Sequence, residues 1–209
     1  MPEYNLKFAG NPETTTRKRL MIVCHPDDEV IFGGEELLNH PGEWVVVYIT
    51  NDHRRPKGVK KMVEALNLNE AIIFGLADSM VDEFKYPIEF VEEIYKLLCS
   101  QVWDQIATHG EDGEYGHRQH IALHQIVYHL MQKVGIFANN WTKITDFTLD
   151  TKLHRTSNKE NIMKRQELCR DIYYRSNKKW MRMIEKSGTV THRSNTDKSD
   201  YDITDLLCE

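Results

Sequence analysis

Long apolar runs are missing from this 209-residue chain. No stretch approaches the ~18 apolar residues that a membrane-crossing helix needs. The opening Met1-Pro2-Glu3-Tyr4-Asn5-Leu6-Lys7 has no apolar core of a secretory signal, so none is expected. Cysteine is scarce, and Cys24, Cys99, Cys169 and Cys208 stand without C-x-x-C spacing. That excludes a disulfide-stapled secreted scaffold and predicts free thiols in a reducing, cytoplasmic setting. A basic excess is missing too. The 27 Lys and Arg face 32 Asp and Glu, for a formal charge of −5, which argues against a nucleic-acid partner. An anionic substrate held by a few local cations stays compatible with this balance. No G-x-G-x-x-G follows the first apolar run, and Gly33-Gly34 falls inside a helical stretch, so a dinucleotide-binding reading has no fingerprint.

What is there reads as an alternation. Residues 1–18 are polar and Thr-rich, an extended lead-in. Leu20-Met21-Ile22-Val23-Cys24 is a short continuous apolar run, the pattern of a strand buried on both faces. Val30 to Leu38 reads as a helix and Pro41-Gly42 as a turn. Trp44–Ile49, Ala71–Phe74, Trp103–Thr108 and Ile144–Leu149 read as further strands. Val59, Met62, Val63 and Leu66 recur at helical spacing, as do Ile88, Val91, Ile94 and Leu98, and so do the apolar positions of Arg118–Val134. Asn161–Tyr174 reads as a closing helix, and the chain beyond Trp180 as polar loop with a short ordered end. Strand alternating with helix predicts a single-domain α/β fold, a Rossmann-like three-layer sandwich around a mostly parallel sheet.

Two clusters carry chemistry. His25-Pro26-Asp27-Asp28-Glu29 follows the first strand of this alternation, and the run from His109 to His120 follows the fourth. Ligands of open α/β sheets sit beyond the carboxyl ends of strands, so the topology predicts one shared site. His25 and Asp28, three apart across a strand-to-helix turn, suit two ligands of a zinc ion, which favours imidazole and carboxylate donors and keeps a position open when catalytic. Asp27 between them suits a carboxylate beside the metal that takes a proton from water. Either aspartate could instead be a helix N-cap. In Tyr115-Gly116-His117-Arg118-Gln119-His120, one histidine can complete the metal site while the other faces substrate. His124 and His129 read as ordinary polar positions of the same helix.

His25-Pro26-Asp27-Asp28-Glu29 after an apolar strand and before Gly33-Gly34 resembles the HPDDE motif of the LmbE/PIG-L deacetylases, and His117-x-x-His120 resembles their second motif. Tyr174-Arg175-Ser176-Asn177 is similar to a weaker third signature. The likeness runs over about residues 18–178 and implies a deacetylase domain at 19–178, with a lead-in at 1–18 and a polar tail, packed or partly flexible, at 179–209. It implies that His25, Asp28 and His120 hold one Zn2+ per chain, with other divalent metals possible. It implies further that Asp27 is the general base, that His117 assists the tetrahedral intermediate or the leaving group, and that Tyr115 polarises the carbonyl. Asp78 matches a position that contacts sugar hydroxyls, and Arg54 and Arg55 compete with Lys57 for a substrate-binding arginine. Gln119 stands where many bacterial members have Asp, and Asn51-Asp52-His53 where the family often has Gly-Glu; both departures bear on the substrate.

The function implied is hydrolysis of an N-acetylated amino sugar, of N-acetylglucosamine type or a conjugate of it, to a free amine and acetate. The alternatives are a metal-dependent hydrolase of another amide or ester bond, and a catalytically altered carbohydrate-binding protein. The partner expected is the small-molecule or conjugated sugar, with no membrane-spanning segment, and a homo-oligomer is compatible with the sequence.

Overall fold

The computed structural model describes residues 6–50, 56–78, 85–138, 141–150, 152, 158–193 and 201–208. In chain order the elements are β1 (Leu6–Ala9), β2 (Arg19–Val23), α1 (Asp28–Ile31), α2 (Gly34–Asn39), β3 (Trp44–Thr50), α3 (Pro56–Ala65), β4 (Glu70–Leu76), β5 (Tyr86–Pro87) and α4 (Ile88–Cys99). There follow β6 (Gln105–Thr108), α5 (Gly113–Gly116), α6 (Arg118–Lys133), β7 (Lys143–Thr148), α7 (Lys159–Tyr173), α8 (Lys178–Lys186), β8 (Gly188–Arg193) and β9 (Leu207–Cys208).

One sheet of seven strands runs β1-β4-β3-β2-β6-β7-β8. The five inner strands are mutually parallel, and β1 and β8 close the two edges antiparallel. Alternation along a strand feeds both faces. Leu20 and Ile22 of β2, with Cys24 just beyond it, pack with α4 and α6, while Met21 and Val23 pack with α1, α2, α3, α7 and α8. β3 divides in the same way, with Val45, Val47 and Ile49 on one face and Trp44, Val46 and Tyr48 on the other. Strands buried on both faces need continuous apolar runs, which is why β2 and β3 read so plainly. The chain leaves β2 toward β3 on one side and later returns to β6 on the other, so a crevice opens at the carboxyl ends of β2 and β6.

Three expectations need correction. The lead-in carries a strand, β1, paired with β4. The stretch from Val30 to Leu38 is not one helix but two, α1 and α2, broken at Phe32 and Gly33. The chain beyond Trp180 is not mainly loop: α8, capped by the Asn177 side chain on two backbone N–H groups, continues to Lys186, and β8 then runs along β7. Among the described residues Cys24, Cys99 and Cys169 are free thiols, and no helix is long and apolar enough to cross a membrane.

The break between α1 and α2 has a physical cause. Arg165 of α7 is fully buried and donates to the backbone oxygens of Val30 and Ile31, and to Ser187 Oγ. A side chain at Gly34 would meet Arg165 Nε at 2.8 Å, so only glycine lets the guanidinium reach the end of α1. Burial pushes the Arg165 pKa down to about 10, which leaves it charged at neutral pH. Buried carbonyls stripped of a charged donor cost about 1–3 kcal/mol each. Arg165→Met is therefore expected to lower unfolding stability by roughly 2–4 kcal/mol, read as a lower urea midpoint with unchanged slope. A loss under about 0.5 kcal/mol, the size of an ordinary surface substitution, would contradict this role.

Candidate active site

The first loop is built from the end of β2. Thr50 donates to the Cys24 carbonyl through both its backbone N–H and its hydroxyl, and the Cys24 N–H donates to His109 Nε2. The chain then turns sharply at Asp27, whose φ is 129°. Such a backbone is rare outside Gly, Asn, Asp and His, and strain of this kind gathers at functional sites. Asp27 occupies the N-cap position of α1, yet its side chain makes no capping bond. Its Oδ2 instead accepts from Arg175 Nε at 2.7 Å. Asp28 Oδ2 accepts the His25 backbone N–H at 2.8 Å. The capping alternative fails for both aspartates, because their carboxylates point elsewhere.

The second loop leaves β6. His109 is fully buried, and the α5 turn brings Glu114 beneath it with a φ of 61°. His117 occupies the N-cap position of α6 without a side-chain capping bond, and His120 lies in that helix's first turn, fully buried.

Three atoms from these loops meet. His25 Nδ1 lies 3.1 Å from Asp28 Oδ2, His120 Nε2 lies 3.3 Å from the same oxygen, and His120 Nε2 lies 3.3 Å from His25 Nδ1. The far nitrogen of each ring faces acceptors. His25 Nε2 is 2.7 Å from Gln119 Oε1 and 3.2 Å from Asp78 Oδ1, while His120 Nδ1 is 2.5 Å from Glu114 Oε2. Those acceptors take the far N–H of each ring, so that once its second proton is lost each ring would turn a near-nitrogen lone pair toward the point the carboxylate oxygen also faces. Bonds of about 2.0–2.1 Å at a tetrahedral angle span edges of roughly 3.3 Å. The triangle fits a zinc ion.

The electrostatics agree. Burial pushes the His25 imidazole down, but Asp28 and Asp78 outweigh it and raise its pKa to about 10. His120 is pushed down by burial and carried up by Asp28 and Glu114 to about 9. Burial opposes the charge on Asp28, yet the two imidazoles hold it well below the usual carboxylate range. This pocket favours positive charge beside Asp28. Glu29, behind Asp27, is pushed up to about 8 by burial; it accepts from Tyr173 Oη and from the Asp27 N–H.

His117 stacks on His120 at 4.2 Å, and its buried Nδ1 has no hydrogen-bond partner among the described residues. Burial, with like charge on His120 and His25, pushes its pKa down to about 4. His25, His117 and His120 also offer nitrogens within 4.8 Å of one another, as Cys24, His109 and His120 offer donor atoms. The second of these sets is committed internally, since His109 Nε2 takes the Cys24 N–H and burial holds the Cys24 thiol well above its usual pKa. Tyr115 is 45% exposed, its ring edge-on to His117 and His120, with Lys179 Nζ 5.7 Å above it.

The structure thus brings His25, Asp27, Asp28, Tyr115, His117 and His120 together. Asp78 joins them through His25, its side chain about one-third exposed (35%). Arg54 and Arg55, like Asp52 and His53, lie outside the described residues. Sequence reasoning missed His109, Glu114 and the pairing of Arg175 with Asp27. Glu114 sits in a run with Glu111 and Asp112, and nothing in residue type or spacing separates the three.

Comparison with known proteins agrees with this picture. A solved structure of the conserved protein TT1542 from Thermus thermophilus superposes with a TM-score of 0.62 at 13% identity, covering 84% of this chain and 94% of that one. The A40926 pseudoaglycone deacetylase Dbv21 superposes with a TM-score of 0.54 at 12% identity, covering 81% of each. At such identities the likeness is one of fold. A curated relative, the uncharacterized protein L374 of Acanthamoeba polyphaga mimivirus, is 30% identical over 138 residues, 58% of this chain. The chain spans 60% of that relative's length. The family model described as PIG-L, GlcNAc-PI de-N-acetylase, matches residues 20–131, more than half of the chain. On that match, and with both loops of the site inside it, the chain belongs to the PIG-L family.

Proposed function

We propose that this protein is a zinc-dependent deacetylase that hydrolyses the acetamide of an N-acetylated amino sugar, of N-acetylglucosamine type or a conjugate of it, in the cytoplasm. The observation that carries the reading is the triangle of His25 Nδ1, Asp28 Oδ2 and His120 Nε2, with the carboxylate of the adjacent Asp27 engaged by Arg175 instead. His25, Asp28 and His120 would hold the ion. Zinc, when bound there, supplies Lewis acidity toward a carbonyl oxygen and lowers the pKa of a water.

The protein's own groups do the rest. Asp27 takes the proton of the attacking water as its oxygen bonds to the acetamide carbon. Arg175 fixes Asp27 Oδ2 from one side, so the carboxylate meets the water in one orientation. Tyr115 donates to the oxygen on which negative charge grows. The amine leaves as the C–N bond breaks, its nitrogen taking the proton that Asp27 removed from the water or one from protonated His117, the half-buried ring stacked on His120, and acetate is the other product. Asp78, beside His25 and partly exposed, with Arg54 and Arg55 after β3, receives the sugar hydroxyls.

The test is a panel of free, nucleotide-linked and lipid-linked N-acetylhexosamines, with amine and acetate both quantified. The reading expects equimolar amine and acetate from at least one of them, and release from none would sink it. His117→Gln is expected to cut kcat about 10²-fold, the scale of a general acid, at unchanged zinc content. Loss of zinc in that variant would make His117 a ligand instead.

A further inference from the structure

Glu114 is an expensive residue to place where it stands. Its backbone adopts φ 61° and ψ −42°, a conformation glycine takes freely and a side-chain-bearing residue takes at a cost of about 1–3 kcal/mol. Its carboxylate is buried, which is unfavourable for a charge without partners. The partners it has define its role. Oε2 lies 2.5 Å from His120 Nδ1, both oxygens lie 3.1 Å from His109 Nδ1, and Oε1 accepts the Gly110 N–H at 2.9 Å. The two rings it holds stack face to face, with centroids 3.7 Å apart.

Each ring leads to a different side of the metal triangle. His120, with Nδ1 donating to Glu114, turns Nε2 to the metal position. His109, with Nδ1 donating to the same carboxylate, keeps Nε2 as an acceptor for the Cys24 N–H at 3.0 Å. That bond holds the backbone from which His25 projects. One carboxylate therefore sets the tautomer of one ligand directly and anchors the loop of another through His109.

We infer that Glu114 is a positioning residue for the metal: it fixes the His120 tautomer and, through His109, the loop that carries His25, so that the ligand triangle is assembled before the ion arrives. The inference rests on the zinc reading above but concerns a residue that touches neither metal nor substrate. Outer partners of metal-ligating histidines typically carry 10–100-fold in metal affinity.

The experiment measures zinc affinity of metal-stripped wild type and Glu114→Gln by competition with a chromophoric chelator. The amide keeps the size of the carboxylate but turns a donor toward one of the two imidazoles. Expected is a 10–100-fold weaker Kd for Glu114→Gln, measured at a temperature where the metal-free variant is fully folded. A change under threefold would overturn the inference. If the variant does not fold, the wild type decides. Its zinc-loaded form, labelled with 15N in histidine, is expected to show protonated Nδ1 and metal-bound Nε2 for His120, and the same Nδ1 protonation for His109. The opposite tautomer at either ring would contradict the proposal. Wild type that binds no zinc sinks the functional reading itself, a result separate from any effect of Glu114.

Discussion

Asp27→Asn is expected to bind zinc as wild type does and to lose between about 10² and 10⁴ in kcat, the range of a positioned general base. The substitution is well isolated. Asparagine matches aspartate in size and is among the few residues that tolerate positive φ, so the turn at φ 129° should survive. Its amide oxygen can still accept from Arg175 Nε in place of the 2.7 Å bond. What it cannot do is take a proton. Since Asp27 lies outside the ligand triangle, metal content and turnover should separate, and measuring both on the same preparation reads the separation. Near-wild-type turnover would remove Asp27 as the base. Loss of zinc together with turnover would move it into the ligand set.

His120→Ala is expected to show the converse, with metal affinity lost first. Zinc held by a full set of four ligands is worth roughly 10–16 kcal/mol, about 3 kcal/mol per ligand. Removing one of three protein ligands should thus weaken binding by more than about 10²-fold. The site adds a second effect. The Glu114 carboxylate would lose its 2.5 Å partner and stay buried with only His109 and the Gly110 N–H to hold it. A stranded buried charge destabilises, so the metal-free variant should also unfold at lower temperature, by about 1–3 kcal/mol in stability. Zinc titration followed calorimetrically below the melting transition distinguishes lost ligation from lost fold. An unchanged Kd would show that the ion sits elsewhere, with the nitrogens of His25 and His117 as the nearest remaining donors.

How much of this could be seen in the sequence follows from what each element buries. β2 and β3 are covered on both faces, so every residue from Leu20 to Val23 and from Trp44 to Ile49 is apolar and the strands read as unbroken runs. α3, α4 and α6 each lay one stripe on the sheet, and the 3.6-residue period exposes them. The edge elements were hidden for the opposite reason. β1 is mostly exposed, and β8 reads Gly-Thr-Val-Thr-His-Arg, with little apolar side chain to mark a strand. α8 buries only Met183 and Ile184 among five charged residues. The split of α1 from α2 is a tertiary effect, imposed by Arg165 of α7 more than a hundred residues away.

The two loops of the candidate site were legible because each follows a parallel strand and the sheet order sets the ends of β2 and β6 side by side. The partners of their side chains were not. Gln119 read as a departure from the family pattern, yet it holds His25 Nε2 at 2.7 Å. Arg175 follows Tyr174, a residue with φ 57°, and reaches Asp27 only because α7 ends there. Long-range pairings of polar side chains leave no periodicity, so only the folded chain reveals them.

The central claim is that this PIG-L family chain hydrolyses an N-acetyl group with a metal held by His25, Asp28 and His120. The most direct test is amine release by chelator-stripped protein as zinc is titrated back, using an N-acetylhexosamine that the untreated protein cleaves. The account predicts no release before addition, a rise that saturates at one zinc per chain, and no recovery in His120→Ala at the same zinc concentration. Release that continues at full rate after stripping, or that returns equally in His120→Ala, would contradict it.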